Sequence, residues 1–383
     1  MNSWEAEVKL MTGAMVDGLL AVRAEGPEVL SVYLTVPWDP DWVSKVPARL
    51  DDVLAPIEAL LADEQDHRRR QRIGAAIESV RAAGAVSARE WLGRTVVLFA
   101  TGDRGVFETA TMTGPIEDMA VLRPRPYVGP LLAGLQRHPV YQAAIVDERQ
   151  AWLLRIDGGI AHQLAKLEWE PPHGTAFGGW HGLAEYGARR RAAELTRRHF
   201  KEAIESMVAA RRPGSTEPVV VGGHTDGVAA FLALLPPQVR AMVAGTVSVD
   251  SGTLSVAQVR AKADPVVDAW RRAQEDRLLG EFGDRAQTVV TGLAGCLALA
   301  GRRAIDLLLV PEGLRSAGFA CAACRQLAVD DGLCSFCGTA RTAVPDVIEE
   351  LVLAVLADGG RVEWMGEGRL ADLMARPRVR LTG

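Results

Sequence analysis

The stretch "YQAAIVDERQAWLLRIDGG", Tyr141 to Gly159, decides the fold. Two apolar runs flank a short polar turn at Asp147–Arg149, and Asp157–Gly159 supplies a second turn, which is the pattern of a β-hairpin. Downstream, a Pro pair and a Gly-rich segment, "PPHGTAFGGWHGLAEYGARRR" (Pro171 to Arg191), lead into a helix predicted from about Leu183 to Ala210. Leu195, Phe200, Ile204, Met207 and Val208 form its apolar stripe, with Arg189, Arg190, Arg191, Arg197 and Arg198 on or near the other side. "VVVGGHTDGVAAFLALLP" (Val219 to Pro236) then reads as a buried strand, a tight Gly222–Gly223 connection and a helix, followed by the strand "GTVSVD". Hairpin, helix, strand, helix and strand in that order describe an α/β domain.

The same alternation extends both ways. Upstream, "VLSVYLTV" (Val29 to Val36) and "TVVLFAT" (Thr95 to Thr101) have the composition of buried strands. Between them, Ala48 to Ala83 is helical with a polar centre, "DEQDHRRRQR", read as a solvated hairpin or one long exposed helix. Arg68, Arg69 and Arg70 sit beside Asp63, Glu64 and Asp66, so a solvated face is the simpler reading than an RNA contact. The prolines of "RPRPYVGPLL" (Arg123 to Leu132) mark the end of a first domain near His138. Downstream, a helix from about Val256 to Leu279 and another over "RAQTVVTGLAGCLALAG" feed the strand "AIDLLLV" (Ala304 to Val310). "PDVIEELVLAVLADGG" forms the next helix, with Asp346 and Glu349 at capping-box spacing, and "RVEWMG" forms the last strand. The fold class is α/β, arranged as three consecutive α/β domains: 1–137, 138–252 and 253–383.

One motif interrupts the third domain. "CAACRQLAVDDGLCSFC" carries Cys321 and Cys324, then Cys334 and Cys337, two C-x-x-C pairs on a small ribbon spanning about 317–342. Each pair lets two thiolates converge through a tight turn, and two such knuckles complete a tetrahedral zinc site. A redox dithiol usually needs a single C-x-x-C at a helix start. With four sulfurs the site is closed, so the zinc is expected to be structural. Cys296, in an apolar helix, reads as a small buried hydrophobe.

Bulk properties exclude more than they assign. The net charge of −5 over 383 residues gives no global signal for nucleic acid, so any such role has to come from local patches. No apolar run approaches about 18 residues, the length expected of a membrane span. The start "MNSWEAEVKL" lacks the pattern of a secretion signal, and a cytoplasmic location is expected. Exposed Phe177 and Trp180 in a free loop would be unfavourable unless they dock on a partner or on their own domain. Aromatic residues next to arginines suit stacking on unpaired RNA bases with neutralisation of the backbone. Asp147 and Asp157 alone do not supply the converging carboxylates of a metal-dependent nuclease. Glycines 222, 223 and 227 do not satisfy G-x-G-x-x-G, so a nucleotide-binding turn is not expected there.

Taken together, "SVYLTV", the middle hairpin, the loop before a basic helix, "VVVGGHTDGVAAFLALLP" and the inserted ribbon resemble the archaeo-eukaryotic release factor and Pelota superfamily. The resemblance is closer to its divergent bacterial branch, which includes ribosome hibernation factors. It implies an RNase H-like middle domain with a Gly-rich loop at 173–182 and a last domain that is Pelota C-terminal-like with the ribbon inserted. Release factors carry Gly-Gly-Gln at the loop tip; this chain has Gly178, Gly179 and Trp180. The glutamine that helps admit water to peptidyl-tRNA is therefore missing, and an indole, with one donor and no acceptor, cannot replace its amide. The resemblance thus implies a non-enzymatic factor in the aminoacyl-tRNA site, with no catalytic residue. Gly178, Gly179, Trp180, His181, Arg189, Arg190 and Arg191 are its expected RNA-binding residues. Expected partners are the ribosome (rRNA of the peptidyl-transferase and decoding centres, and the stalk base) and elongation factor Tu, with no small-molecule substrate. The alternative within the same resemblance is a rescue or release factor that hydrolyses peptidyl-tRNA.

Overall fold

A computed structural model describes residues 18–19, 28–112, 114–157, 160–169, 181–211, 215–249 and 254–378, with backbone alone at 160 and 181–189. Among the described residues it is a mixed α/β protein with four sheets. The described residues pack into two compact units, one drawn from residues up to His138 and from Leu278 onward, the other from Pro139–Arg277.

In the first unit, β1 (Val29–Val36) runs antiparallel to β2 (Arg94–Thr101). On its other side it pairs with β4 (Met119–Arg123), and β3 (Gly105–Met112) lies outside β2. Alternate residues of β1 enter two different cores. Leu30, Val32, Leu34 and Val36 pack against helices α1 (Val46–Ala62) and α2 (His67–Ser87), while Val29 and Tyr33 pack against Tyr127 and Leu131. Burial on both faces explains why this strand lacks polar alternation. The polar centre between the helices is a hairpin: the Asp66 carboxylate caps α2 by accepting from the N–H groups of Arg68 and Arg69. Arg69 is held by Glu28 and Glu64, as a solvated ion-paired face requires.

A second sheet of this unit has the order β10-β16-β11-β15. Strand β11 (Ile305–Pro311) is parallel to β15 (Arg361–Met365), and β16 (Met374–Pro377) is antiparallel between β11 and β10 (Val290–Thr291). Two expectations are corrected here. "RVEWMG" is followed by another strand, β16, whose short polar-flanked sequence gives no alternation to read. The helix expected across 285–301 is instead a short strand and α8 (Leu293–Gly301). Gly292, with φ 82°, separates them and donates its N–H to Leu373 O.

The crossover from β11 to β15 carries a three-stranded ribbon, β12 (Gly318–Cys321), β13 (Leu327–Ala328) and β14 (Arg341–Val344), then α9 (Val347–Ala357). Asp346 caps α9 at the Ile348 N–H, but Glu349 does not close the capping box. Its carboxylate accepts instead from the N–H groups of Val128 (2.9 Å) and Gly129 (3.0 Å) at the start of α3 (Gly129–Arg137). That helix has no side-chain cap of its own, so Glu349 satisfies donors that would otherwise be buried and unpaired. Around it, Tyr127 OH donates to Asp346, Tyr127 N–H donates to Ser31, and Tyr33 OH donates to Tyr127 O. This buried network ties the N-terminal and C-terminal parts of the unit together.

The second unit is built on a five-stranded sheet of order β7-β6-β5-β8-β9. The opening hairpin is β5 (Tyr141–Val146) and β6 (Gln150–Asp157), and β7 (Ile160–Glu168) extends it to a meander. Strands β8 (Val219–Gly223) and β9 (Val243–Ser248) then continue parallel to β5. Meander, then two parallel crossovers, is the RNase H-like arrangement. Helices α4 (His181–Ala209) and α5 (Thr225–Leu234) cover one face, with Phe200, Met207 and Phe231 against Ala144, Val146, Val219 and Val221. A short helix, α6 (Pro237–Arg240), precedes β9. On the other face lies α7 (Val256–Asp284), with Val259, Ala263 and Val267. The α4 stripe differs at one end: Ala203 is buried and Val208 is exposed, because Val208 sits about 100° around the helix from Met207.

Candidate RNA interface and metal centre

Strand β7 and helix α4 flank the Gly-rich segment in sequence, and Trp169 at the end of β7 is held from two sides. Trp169, directly after β7, donates its N–H to Arg149 O at 2.7 Å. Its indole stacks on the imidazole of His199 from α4, with centroids 4.4 Å apart and planes 1° from parallel. The indole N–H also reaches Glu202 at 3.4 Å. Burial pushes the His199 imidazole below its ordinary value, which favours the neutral ring that packs flat on the indole. No sequence pattern pairs residues thirty positions apart, so this stack was not legible beforehand.

Of the expected RNA-binding residues, Gly178, Gly179 and Trp180 lie outside the described residues, as does Phe177. His181 is the first residue of α4 and Arg189 lies in the same helix. Arg190 and Arg191 are exposed on α4, as are Arg197 and Arg198 further along. Helix α4 therefore carries solvent-facing guanidinium groups on the element that follows the loop, while its buried stripe fixes it to the sheet.

Gly222 and Gly223 serve the strand-to-helix connection, as the sequence suggested. A Cβ at Gly223 would lie 2.2 Å from Val146 O, and its φ of 149° is disfavoured for side chains. His224 occupies the N-cap position of α5 without a capping bond from its side chain and faces solvent. Asp147 is occupied by its own turn, accepting from the N–H groups of Arg149 (2.6 Å) and Gln150 (2.8 Å). Among the described residues, the four cysteines are the one group of side chains arranged to hold a metal ion.

Those four sulfurs converge. Cys321 and Cys337 are 3.3 Å apart, Cys324 and Cys334 3.5 Å, and Cys324 and Cys337 3.5 Å, with all four ligand atoms within 4.8 Å. These distances are far longer than a disulfide and close to the roughly 3.8 Å edge of a tetrahedron with metal–sulfur bonds near 2.3 Å. Backbone N–H groups from Phe336 and Cys337 lower the Cys334 thiol, and hydrogen bonds from Thr339 lower Cys337 to about 6. Both shifts favour the thiolate that binds metal, whereas Cys324 is pushed up to about 12, the lowering backbone bond at Gln326 being outweighed by desolvation and by its hydrogen bonds with the other three cysteines. Four sulfurs in this arrangement fit a tetrahedral metal ion, which would hold the two knuckles of the ribbon together. Cys296 is fully buried in α8, and burial pushes its thiol up to about 12, as expected of a packing residue.

Residues 126–267 match the model of bacterial archaeo-eukaryotic release factor family 10, a segment that contains the whole five-stranded sheet, the loop and α4. Over that segment the chain is similar to the bacterial branch of the archaeo-eukaryotic release factors. Solved structures similar to this chain include the archaeal translation termination factor aRF1 (18% identity, 96% of each chain, TM-score 0.28). Pelota of Archaeoglobus fulgidus is 16% identical over 76% of this chain and 81% of that one, with a TM-score of 0.30. Dom34 of S. cerevisiae, a translation termination-like factor, is 10% identical over 77% and 83%, with a TM-score of 0.41. No curated protein matches the chain.

Proposed function

We propose that this chain is a non-enzymatic ribosome-binding protein of the cytoplasm that occupies the aminoacyl-tRNA site during hibernation. The observation that supports the reading lies in the middle unit: within the family-matched segment, the sequence Gly178-Gly179-Trp180 stands directly before a helix with exposed arginines. The tip reaches toward the peptidyl-transferase centre, where Trp180 stacks on an unpaired base and the α4 arginines neutralise phosphates. Residues 1–137 face the decoding centre and 253–383 the stalk base. Without the amide of a glutamine the tip blocks the centre and hydrolyses nothing. Cys321, Cys324, Cys334 and Cys337 hold a structural zinc.

Retention of the two glycines favours one second reading, a rescue factor that hydrolyses peptidyl-tRNA through loop backbone amides. Two measurements separate them. Cosedimentation with ribosomes from stationary-phase cells, without peptide release from ribosome-bound peptidyl-tRNA, is the expected result. Robust loop-dependent release selects the second reading, and absence from the ribosomal pellet rejects both. Adding elongation factor Tu with GTP to the same sedimentation tests it as a delivery partner.

A further inference from the structure

Two side chains in the first unit stand where glycine is the easier residue. Among the described residues, the non-glycine positions with a left-handed backbone are Arg303 (φ 55°) and Arg325 (φ 60°). A side chain there is crowded by its own backbone, whereas glycine is not. The chain itself uses glycine at both equivalent places. Helix α9 ends with Asp358 and then Gly359 (φ 73°), whose N–H donates to Leu356 O at 2.9 Å. Helix α8 ends with Arg302 and then Arg303, whose N–H donates to Ala300 O at 2.8 Å. In the second cysteine knuckle, Gly338 (φ 73°) donates to Cys334 O at 2.8 Å; in the first, Arg325 donates to Cys321 O at 3.0 Å. The backbone demands are the same in each pair, so the turns themselves do not call for arginine. Strain kept at two sites points to a use for the side chains.

Both arginines line one cleft of about 920 Å³. Arg125 lines it as well, and Leu327, Leu353 and Leu356 give it apolar walls. Phe336, in the second knuckle, also lines it and is 80% exposed. Two carboxylates share the cleft. Asp358 lies 3.7 Å from Arg303, at the outer limit of an ion pair, and Glu350 is half-buried. Among the described residues the Arg325 side chain makes no hydrogen bond or close ion pair, although its charge reaches Glu350, and the Arg303 side chain is 83% exposed. The guanidinium groups thus remain available to a ligand. Forked donors suit phosphate, and an exposed aromatic ring beside apolar walls suits a flat base. An acidic peptide would use the arginines and leave Phe336 without a role.

We propose that this cleft binds single-stranded RNA, with a base on Phe336 and phosphates on Arg303, Arg325 and Arg125. The proposal gives the ribosome-binding reading a second RNA contact outside the loop. It rests on that reading for its biological partner, but its test needs no ribosome.

The full-length protein is titrated into a labelled single-stranded oligoadenylate and binding is followed by anisotropy over a range of salt. Arg303→Gly with Arg325→Gly removes both charges and relieves both backbones, so thermal stability is expected to hold or rise. Affinity is expected to fall at least about tenfold, and the slope of log affinity against log salt to shrink by about 1.4, from two phosphates at about 0.7 each. Phe336→Ala is expected to cost about tenfold more with an unchanged salt slope. Zinc content of each variant is measured alongside. Loss of metal from Arg325→Gly would assign that arginine to the thiolate cluster and overturn the proposal. Unchanged RNA binding in the double variant also overturns it, as does competition by oligoglutamate equal to that of unlabelled RNA. If RNA binds through the cleft while ribosomes do not pellet the protein, only the ribosomal reading falls.

Discussion

Glu349 gives this protein a pH dependence that can be worked out from its surroundings. The side chain is buried, and burial raises its carboxyl from the ordinary 4.5 to about 7, against the lowering effect of the Val128 and Gly129 N–H groups. A carboxyl raised on folding binds its proton more tightly in the native state. Its stabilisation is therefore complete below about pH 4.5 and is lost as pH rises through 7. The shift from 4.5 to about 7, at about 1.4 kcal/mol per pH unit, corresponds to roughly 3 kcal/mol across that window. Burial also raises Glu350 and Glu363, which add a slope of the same sign, so the wild-type profile alone does not isolate Glu349. Glu349→Gln does. The amide keeps an oxygen for the Val128 and Gly129 donors, which both lie within 3.2 Å of Oε1, and carries no charge to desolvate. Calorimetric unfolding between pH 5 and 8 is expected to show the variant with a shallower decline than wild type and the higher stability at pH 8. Gly129→Ala is the companion change, because its Cβ would lie 2.3 Å from Glu349 Oε2 and displace the carboxylate. It is expected to cost about 1–3 kcal/mol at every pH. Equal pH slopes for wild type and Glu349→Gln would refute the assignment.

Elemental analysis of freshly purified protein is expected to find one zinc per chain, and Cys324→Ser to unfold the ribbon while the β11–β15 sheet and α9 persist by hydrogen exchange. Replacing Arg189, Arg190 and Arg191 by Ala is expected to weaken ribosome binding and flatten its salt dependence, with little change in melting temperature; an unaltered salt slope rejects a phosphate contact there. Trp180→Ala is expected to reduce ribosome affinity by about 1–3 kcal/mol at constant thermal stability, whereas a loss of stability would mean that the indole packs on its own domain. Trp180→Gln is expected not to confer efficient peptide release, measured on ribosome-bound peptidyl-tRNA, because the "HGLAEYG" that follows also departs from the release factor pattern.

Much of the architecture was legible because local pattern and burial agree. The turn at Asp147, the long amphipathic α4 and the Gly222–Gly223 connection each depend on neighbours in sequence, and each was found where the residues put it. The cysteine pairs likewise carry their spacing in the sequence, and the fold brings their sulfurs together. Strands β10 and β16 were not legible, because they are short and are strands only through pairing with each other and with β11. Glu349 shows the same limit in a single side chain. Its spacing from Asp346 fits a capping box, yet a helix start some 220 residues away holds unpaired N–H donors, and the carboxylate goes to them. The Trp169–His199 stack and the shared cleft of Arg303 and Arg325 are also long-range facts. Sequence determines which groups a segment offers and the period on which it buries them. Only the tertiary structure decides which distant donor, ring or charge each one meets, because a buried polar group bonds to whatever partner the packing leaves unpaired.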